Sequence, residues 1–169
     1  MTNFGRQKVL IYNLTLSRDT MKFHWLALLL VIGAVLFVPP VSAKIVEEKN
    51  GYVVTSGDDI IRLPEISQFS SGSISQGQTH WYSTYVPTGK TSFFADLYWG
   101  TPSNSLSLTI LAPDTPFGPY YDSADGRIDG RINLRISKSG GLASGTWWSN
   151  IYGYYVSGVQ SYTYSASAS

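Results

Sequence analysis

The stretch Thr79–Leu111, THWYSTYVPTGKTSFFADLYWGTPSNSLSLTIL, contains three runs in which apolar and polar residues alternate. The first run ends at Pro87-Thr88-Gly89 and the second at Gly100-Thr101-Pro102, which are turn signals. Because side chains on a strand point alternately to the two sides of a sheet, each run predicts a strand with one buried face. The inward sets are Tyr82, Thr84 and Val86; Phe93, Ala95, Leu97 and Trp99; and Leu106, Leu108 and Ile110.

Short strands with turn signals between them are predicted for most of the remaining chain. They cover residues 71–75, 131–137, 146–156 and 160–166, and a helical period is almost absent. This pattern predicts an all-β fold, an antiparallel β-sandwich. Asn50-Gly51 between two short runs predicts a hairpin, which we place outside the core because few apolar residues flank it. The predicted division is residues 1–43, a hairpin and lead-in at 44–70, and the sandwich at 71–169.

Residues 21–43, MKFHWLALLLVIGAVLFVPPVSA, have the three-part layout of a secretory signal peptide. Lys22 gives a positive start, residues 25–38 are apolar, and Val41-Ser42-Ala43 ends in small residues. A membrane anchor needs about 20 apolar residues, and this run is shorter. The sequence therefore predicts an N-terminal signal helix and a secreted or cell-surface protein, with membrane contact only through the uncleaved segment. Met21 is a second candidate for the true start.

The composition after Ala43 excludes one class of partner. Those 126 residues contain eight basic and ten acidic side chains, a net charge of −2, and the chain has no cysteine. Proteins that bind nucleic acid without regard to sequence need a basic surface. We therefore expect no nucleic-acid partner, and a fold that is stabilised by its core or a bound ion.

Three motifs in order carry a resemblance to a known family. They are GQTHWYSTYVP at residues 77–87, YWGTPSNSLSL at 98–108 and GTWWSNIYG at 145–153. Together they resemble the pre-peptidase C-terminal domain of bacteria and archaea, which is appended to secreted peptidases and surface proteins. The resemblance implies a jelly-roll-like sandwich that binds or stabilises, sometimes with calcium. The chain departs from the family at His80, Ser105 and Ser107, where acidic residues are frequent, and it contains no peptidase domain.

The sequence offers little for catalysis. His80 is the one histidine after Ala43, and no Gly-x-Ser-x-Gly motif presents a serine nucleophile. The acidic residues lie mostly in turns, where turn formation and solubility explain them. We therefore predict a non-enzyme and interpret His80 as a surface or edge residue.

The loop at residues 112–130 contains the best candidate ligands for an ion. Asp122, Asp125 and Asp129 lie among glycines, and calcium prefers several oxygen ligands on a flexible loop. These three residues are the predicted metal site, and calcium is the predicted cofactor. The alternative is that the Asp-Gly pairs simply form turns beside Arg127 and Arg131.

The strand at residues 146–156 carries the densest group of aromatic residues. Its period of two places Trp147 inward and Trp148, Tyr152 and Tyr154 outward. These three outward residues are the predicted ligand-binding site, since exposed aromatic rings stack on sugars and anchor protein partners. The alternative is that the loop at 112–130 covers them.

These observations predict a secreted, non-catalytic interaction module for a cell-surface protein or polysaccharide. Two alternatives remain open: a carbohydrate-binding module with an aromatic platform, and an accessory domain of a secreted hydrolase system.

Because the apolar run is short and ends at small residues, we expect the exported protein to begin at Lys44. Intact-mass measurement of the secreted protein should give the mass of Lys44–Ser169. A membrane-retained species that still contains residues 25–38 would contradict this expectation.

Overall fold

The computed structural model describes residues 44–57 and 68–169; the predicted signal helix and part of the predicted lead-in lie outside these ranges. The described part contains ten strands and a short 3₁₀ helix, Asp122–Asp125. The strands are β1 Ile45–Lys49, β2 Tyr52–Ser56, β3 Gln68–Ser75, β4 Thr79–Val86, β5 Ser92–Tyr98, β6 Ser105–Leu111, β7 Pro116–Tyr120, β8 Arg131–Lys138, β9 Gly145–Tyr155 and β10 Val159–Ala168. No helix in the described ranges has the length and apolar character needed to cross a membrane.

Two antiparallel sheets form the fold. The six-stranded sheet has the order β1-β2-β8-β5-β10-β3, and the four-stranded sheet has the order β4-β9-β6-β7. The last eight strands divide between the sheets as β3-β10-β5-β8 and β4-β9-β6-β7, which is the strand order of a jelly roll. The predicted jelly-roll-like antiparallel sandwich is therefore confirmed. The first and the last described strands, β1 and β10, both belong to the six-stranded sheet.

The inward faces predicted from alternation are confirmed. Buried apolar residues recur at every second position of β5, β6 and β8, and the same alternation sets Trp147 and Ile151 inward on β9. The two sheets bury these rows against each other, in one core. The alternation works because each sheet has one buried side and one exposed side, so a period of two separates the two environments.

The Asn50-Gly51 hairpin is present, but its predicted place outside the core is wrong. Both turn residues have positive φ, 52° and 78°, as a two-residue type I′ hairpin turn requires. Strand β2 pairs with β8, and Tyr52 and Val54 are 1% and 0% exposed. The small number of apolar residues did not predict the burial of this strand, because Tyr52 buries a large ring while its hydroxyl group remains hydrogen-bonded.

Polar contacts join the hairpin to the other sheet at β7. The Tyr120 hydroxyl group donates to Oε2 of Glu47 at 2.5 Å, and Lys49 Nζ donates to the Pro116 carbonyl at 2.8 Å. Burial and the neighbouring Glu47 carboxylate raise the pKa of Tyr120. The Tyr52 hydroxyl group donates to the Asp114 carboxylate at 2.9 Å. This side of the sandwich is therefore closed by hydrogen bonds between the two sheets.

Trp147 lies in the middle of the core, in contact with residues from both sheets. Its ring stacks on Phe93 of the six-stranded sheet at 4.7 Å between centroids and on Phe117 of β7 at 6.2 Å. Tyr52 meets it edge to face at 6.2 Å. The indole Nε1 donates to the Ala143 carbonyl at 2.9 Å, so the buried polar atom is satisfied.

Replacing Trp147 with alanine should lower the free energy of unfolding by about 3–5 kcal/mol, because the vacated volume lies between two packed sheets. Trp148→Ala is the matched control: its side chain is 45% exposed and leaves no closed cavity. Chemical or thermal unfolding of both variants checks this. Equal destabilisation by the two substitutions would contradict the placement of the tryptophans.

Candidate docking face

The two sheets differ sharply in charge. In the described part of the chain, the strands β4, β6, β7 and β9 contain no Asp, Glu, Lys or Arg. The charged residues located in strands all belong to the six-stranded sheet: Glu47, Glu48, Lys49, Asp96, Arg131, Arg135 and Lys138. The four-stranded sheet therefore exposes a face on which none of its strands places a charge.

Five aromatic side chains lie on that exposed face. They are Trp81, Tyr85, Trp148, Tyr152 and Tyr154, and their exposed fractions are 52%, 69%, 45%, 36% and 53%. We call these five residues the aromatic face. They come from the two adjacent strands β4 and β9, whose opposite sides hold Tyr82, Trp147 and Ile151 against the core. The platform is therefore built on rigid strands and not on loops.

The pairing register between β4 and β9 alternates aromatic and polar side chains. Directly paired positions are Tyr85 with Thr146, Trp148 with Ser83, Trp81 with Asn150, and Tyr152 with Thr79. Each of these four aromatic residues therefore has a hydroxyl or amide side chain as its cross-strand neighbour. The side chains of Ser83 and Asn150 make no hydrogen bond to other residues of the described ranges.

The segment after β7 reaches one end of the aromatic face. The Tyr121 ring contacts the Tyr154 ring edge to face, with 4.8 Å between centroids. Trp148 nevertheless stays about half exposed. The predicted outward direction of Trp148, Tyr152 and Tyr154 is confirmed, and the ring contact with the loop at 112–130 is made at Tyr154. Their role in ligand binding stays a prediction.

Trp81 and Tyr85 are the members of the face that the sequence prediction missed. The signal was present in THWYSTYV, because placing Tyr82, Thr84 and Val86 inward sends the residues between them outward. The predicted site included only residues of the strand with the most aromatic side chains, at 146–156. A face is shared by neighbouring strands, and which strands are neighbours is not visible in local sequence.

Asp122 organises the acidic loop by binding backbone groups. Its Oδ1 accepts hydrogen bonds from the backbone N–H groups of Asp129, Gly130 and Arg131 at 3.0–3.2 Å. The residue is 6% exposed, and its Oδ2 is buried with no hydrogen-bond partner among the described residues. The carboxylate thereby holds the turn into β8.

Asp125 also binds the backbone. Its two oxygens accept the N–H groups of Arg127 and Asn133, each at 3.1 Å. Burial, followed by the negative charges of Asp129 and Asp122, raises the pKa of Asp125. In the described ranges no three acidic or histidine side chains are grouped so that they could hold a metal ion. The structure therefore does not gather Asp122, Asp125 and Asp129 into one ligand set, and calcium stays a prediction.

His80 lies near the start of β4, an edge strand of the four-stranded sheet, as its interpretation as a surface or edge residue expects, but its side chain points inward. Its register opposite Ile151 places it in the inward row of β4, where it is half-buried. Its Nδ1 lies 2.6 Å from the Tyr162 hydroxyl oxygen, which lies 2.7 Å from that of Tyr82. Burial and the bond to Tyr82 raise the pKa of Tyr162, so its hydroxyl group keeps its proton. These contacts connect β4 to β10.

A calcium site at the loop would raise stability, because a ligand that binds only the folded protein stabilises it by mass action. If calcium binds at Asp122, Asp125 and Asp129, the melting temperature should rise in millimolar calcium, and Asp129→Asn should abolish the rise. Asp129 is the variant of choice because its carboxylate accepts none of the backbone hydrogen bonds described above. Identical melts in calcium and in chelator would leave the three residues with a turn-forming role.

Comparison with known proteins adds two partial likenesses. No family model matches the chain, so the resemblance to the pre-peptidase C-terminal domain stays a prediction. An uncharacterised protein of Archaeoglobus fulgidus is 51% identical over 43 residues, which is 24% of this chain and 56% of that protein, so the match spans about half of the relative's length. PliG of Aeromonas hydrophila, a periplasmic lysozyme inhibitor of g-type lysozyme, is 18% identical, with a TM-score of 0.39 over 61% of this chain and 86% of PliG. Neither likeness carries a functional conclusion, which must come from this chain's own residues.

Proposed function

We propose that the chain is a non-catalytic interaction module that acts at or outside the cell surface and binds its partner through the aromatic face. The observation that carries this proposal is the collection of five exposed aromatic residues on a sheet whose strands bear no charge. Single exposed apolar residues are normal on a protein surface, but several large aromatic side chains exposed together on one face indicate an interaction site. The predicted signal peptide supports a location outside the cytoplasm.

The construction of the face suits it to binding. Its side chains stand on paired strands of a sandwich, so little backbone freedom is lost when a partner docks. Tyr and Trp have only two side-chain torsions and offer much contact area, which makes them frequent anchors in interfaces. Strand pairing on both sides of β9 fixes the positions of Trp148 and Tyr152.

A non-catalytic role agrees with the contacts of the titratable residues that could serve in catalysis. His80 is bonded to Tyr162, whose hydroxyl group stays protonated because burial and the bond to Tyr82 raise its pKa. Asp96 accepts two hydrogen bonds from Arg131, at 2.7 and 3.0 Å, in a bidentate pair. Both groups are held by structural partners, and neither lies on the aromatic face.

Trp81→Ala and Trp148→Ala should each weaken retention on a cell-envelope fraction by about tenfold or more, because each removes one aromatic anchor worth about 1.4 kcal/mol. Their melting temperatures should stay near that of the wild type. The matched control is Phe69→Ala, an aromatic residue 70% exposed in β3 of the other sheet, which should retain full binding.

Sedimentation of labelled protein with the envelope fraction measures this retention. Unchanged retention of both tryptophan variants, or an equal loss for Phe69→Ala, would contradict docking through the aromatic face.

A further inference from the structure

We infer that the partner of the aromatic face is an uncharged, hydroxyl-rich polysaccharide that lies along strands β4 and β9. This inference rests on the proposed function and names the chemical class of its ligand. Three observations on the face support it: the spacing of the rings, the polar residue opposite four of the five rings, and the absence of charge on the strands.

The rings form a stripe along the strands. Tyr85 is paired with Thr146, and Trp81 with Asn150, so the aromatic positions from Tyr85 to Tyr152 alternate between β4 and β9. The order along the paired part of the stripe is Tyr85, Trp148, Trp81 and Tyr152, and Tyr154 follows on β9. Consecutive paired positions are two residues apart along the sheet, about 7 Å, so these four span about 20 Å at the rise of an antiparallel strand. A stripe of this length fits an extended polymer better than a small molecule.

The cross-strand pairs match the two kinds of surface on a sugar ring. A pyranose has faces lined by C–H groups, which pack on aromatic rings, and an edge of hydroxyl groups, which need hydrogen-bond partners. Trp81 has Asn150 as its neighbour, and Trp148 has Ser83. Hence a sugar stacked on either tryptophan lies next to a hydroxyl or amide group that is not engaged within the described residues. A ligand hydroxyl that is buried without a partner loses its hydrogen bonds to water, so these polar neighbours matter for affinity.

The charge pattern selects an uncharged polymer. An anionic polysaccharide would lose hydration at a face whose strands supply no Lys or Arg in the described structure, and that loss would not be compensated. A protein partner would favour a continuous apolar centre with a polar rim. Here Thr79, Ser83, Thr146 and Asn150 stand opposite four of the five rings, which favours the sugar polymer over the protein surface.

The test uses purified polymers and the full secreted chain. Uncharged polysaccharides of different linkage (cellulose, curdlan, amylose, dextran and mannan) are compared with anionic alginate and pectate by affinity electrophoresis and calorimetry. We expect binding to at least one uncharged polymer and no binding to the anionic ones. Raising the salt to about 1 M, where the Debye length is about 3 Å, should leave the affinity unchanged within about twofold.

Oligosaccharides of the bound polymer then test the stripe. Affinity should rise with chain length and level off once the ligand covers the stripe. Trp81→Ala and Trp148→Ala should weaken binding at every length by about tenfold or more. Tyr85→Ala removes one end of the stripe and should weaken only the longer oligosaccharides, while Phe69→Ala should bind as the wild type does.

Failure of this inference can be distinguished from failure of the proposed function. If no uncharged polymer binds, while envelope retention still depends on Trp81 and Trp148, the inference about the ligand class is wrong and docking through the aromatic face still stands. Binding that favours anionic polymers and falls with salt also overturns the inference. If retention on the envelope is unchanged in both tryptophan variants, the proposed function and this inference are both wrong.

Discussion

The fold depends on the contact that Trp147 makes with both sheets at once. Its ring stacks on Phe93 of the six-stranded sheet and on Phe117 of its own sheet, and Tyr52 closes the group from the hairpin. With no cysteine to join the sheets, this packing and the surrounding apolar rows must supply most of the stabilisation. Because Trp147 is fixed inward, the alternation of β9 sends Trp148 to the opposite side. The same strand thus supplies the centre of the core and the centre of the docking face.

The sequence predicted the strands well, and its failures have a common cause. Alternation at residues 79–111 and 131–137 gives the inward rows directly, because a period of two is a local property. The core position of Tyr52, the hydrogen bond of His80 to Tyr162 and the contribution of Trp81 to the face all depend on which strands become neighbours. That information comes from partners distant in sequence, which no local pattern contains.

The acidic loop illustrates a different limit. Aspartates among glycines suit both a calcium loop and a set of turns, and the residue types alone do not separate the two. In the structure, Asp122 and Asp125 accept five backbone N–H groups between them. Carboxylates used in this way replace the ladder bonds that an irregular loop cannot make. Burial, and to a smaller extent the negative charges of Asp129 and Asp122, raise the pKa of Asp125, so part of the shift comes from placing three aspartates in one loop.

The placement of β1 and β10 in the same sheet decides how the molecule can be attached to something else. Both strands lie in the charged, six-stranded sheet, while the aromatic face belongs to the opposite one. Ser169 is held there by backbone hydrogen bonds with Thr91 and Ser92. A tether at either end of the described chain would therefore leave from the side turned away from the aromatic residues. The module could be displayed on a solid support, or fused to another domain, with its tryptophans directed outward.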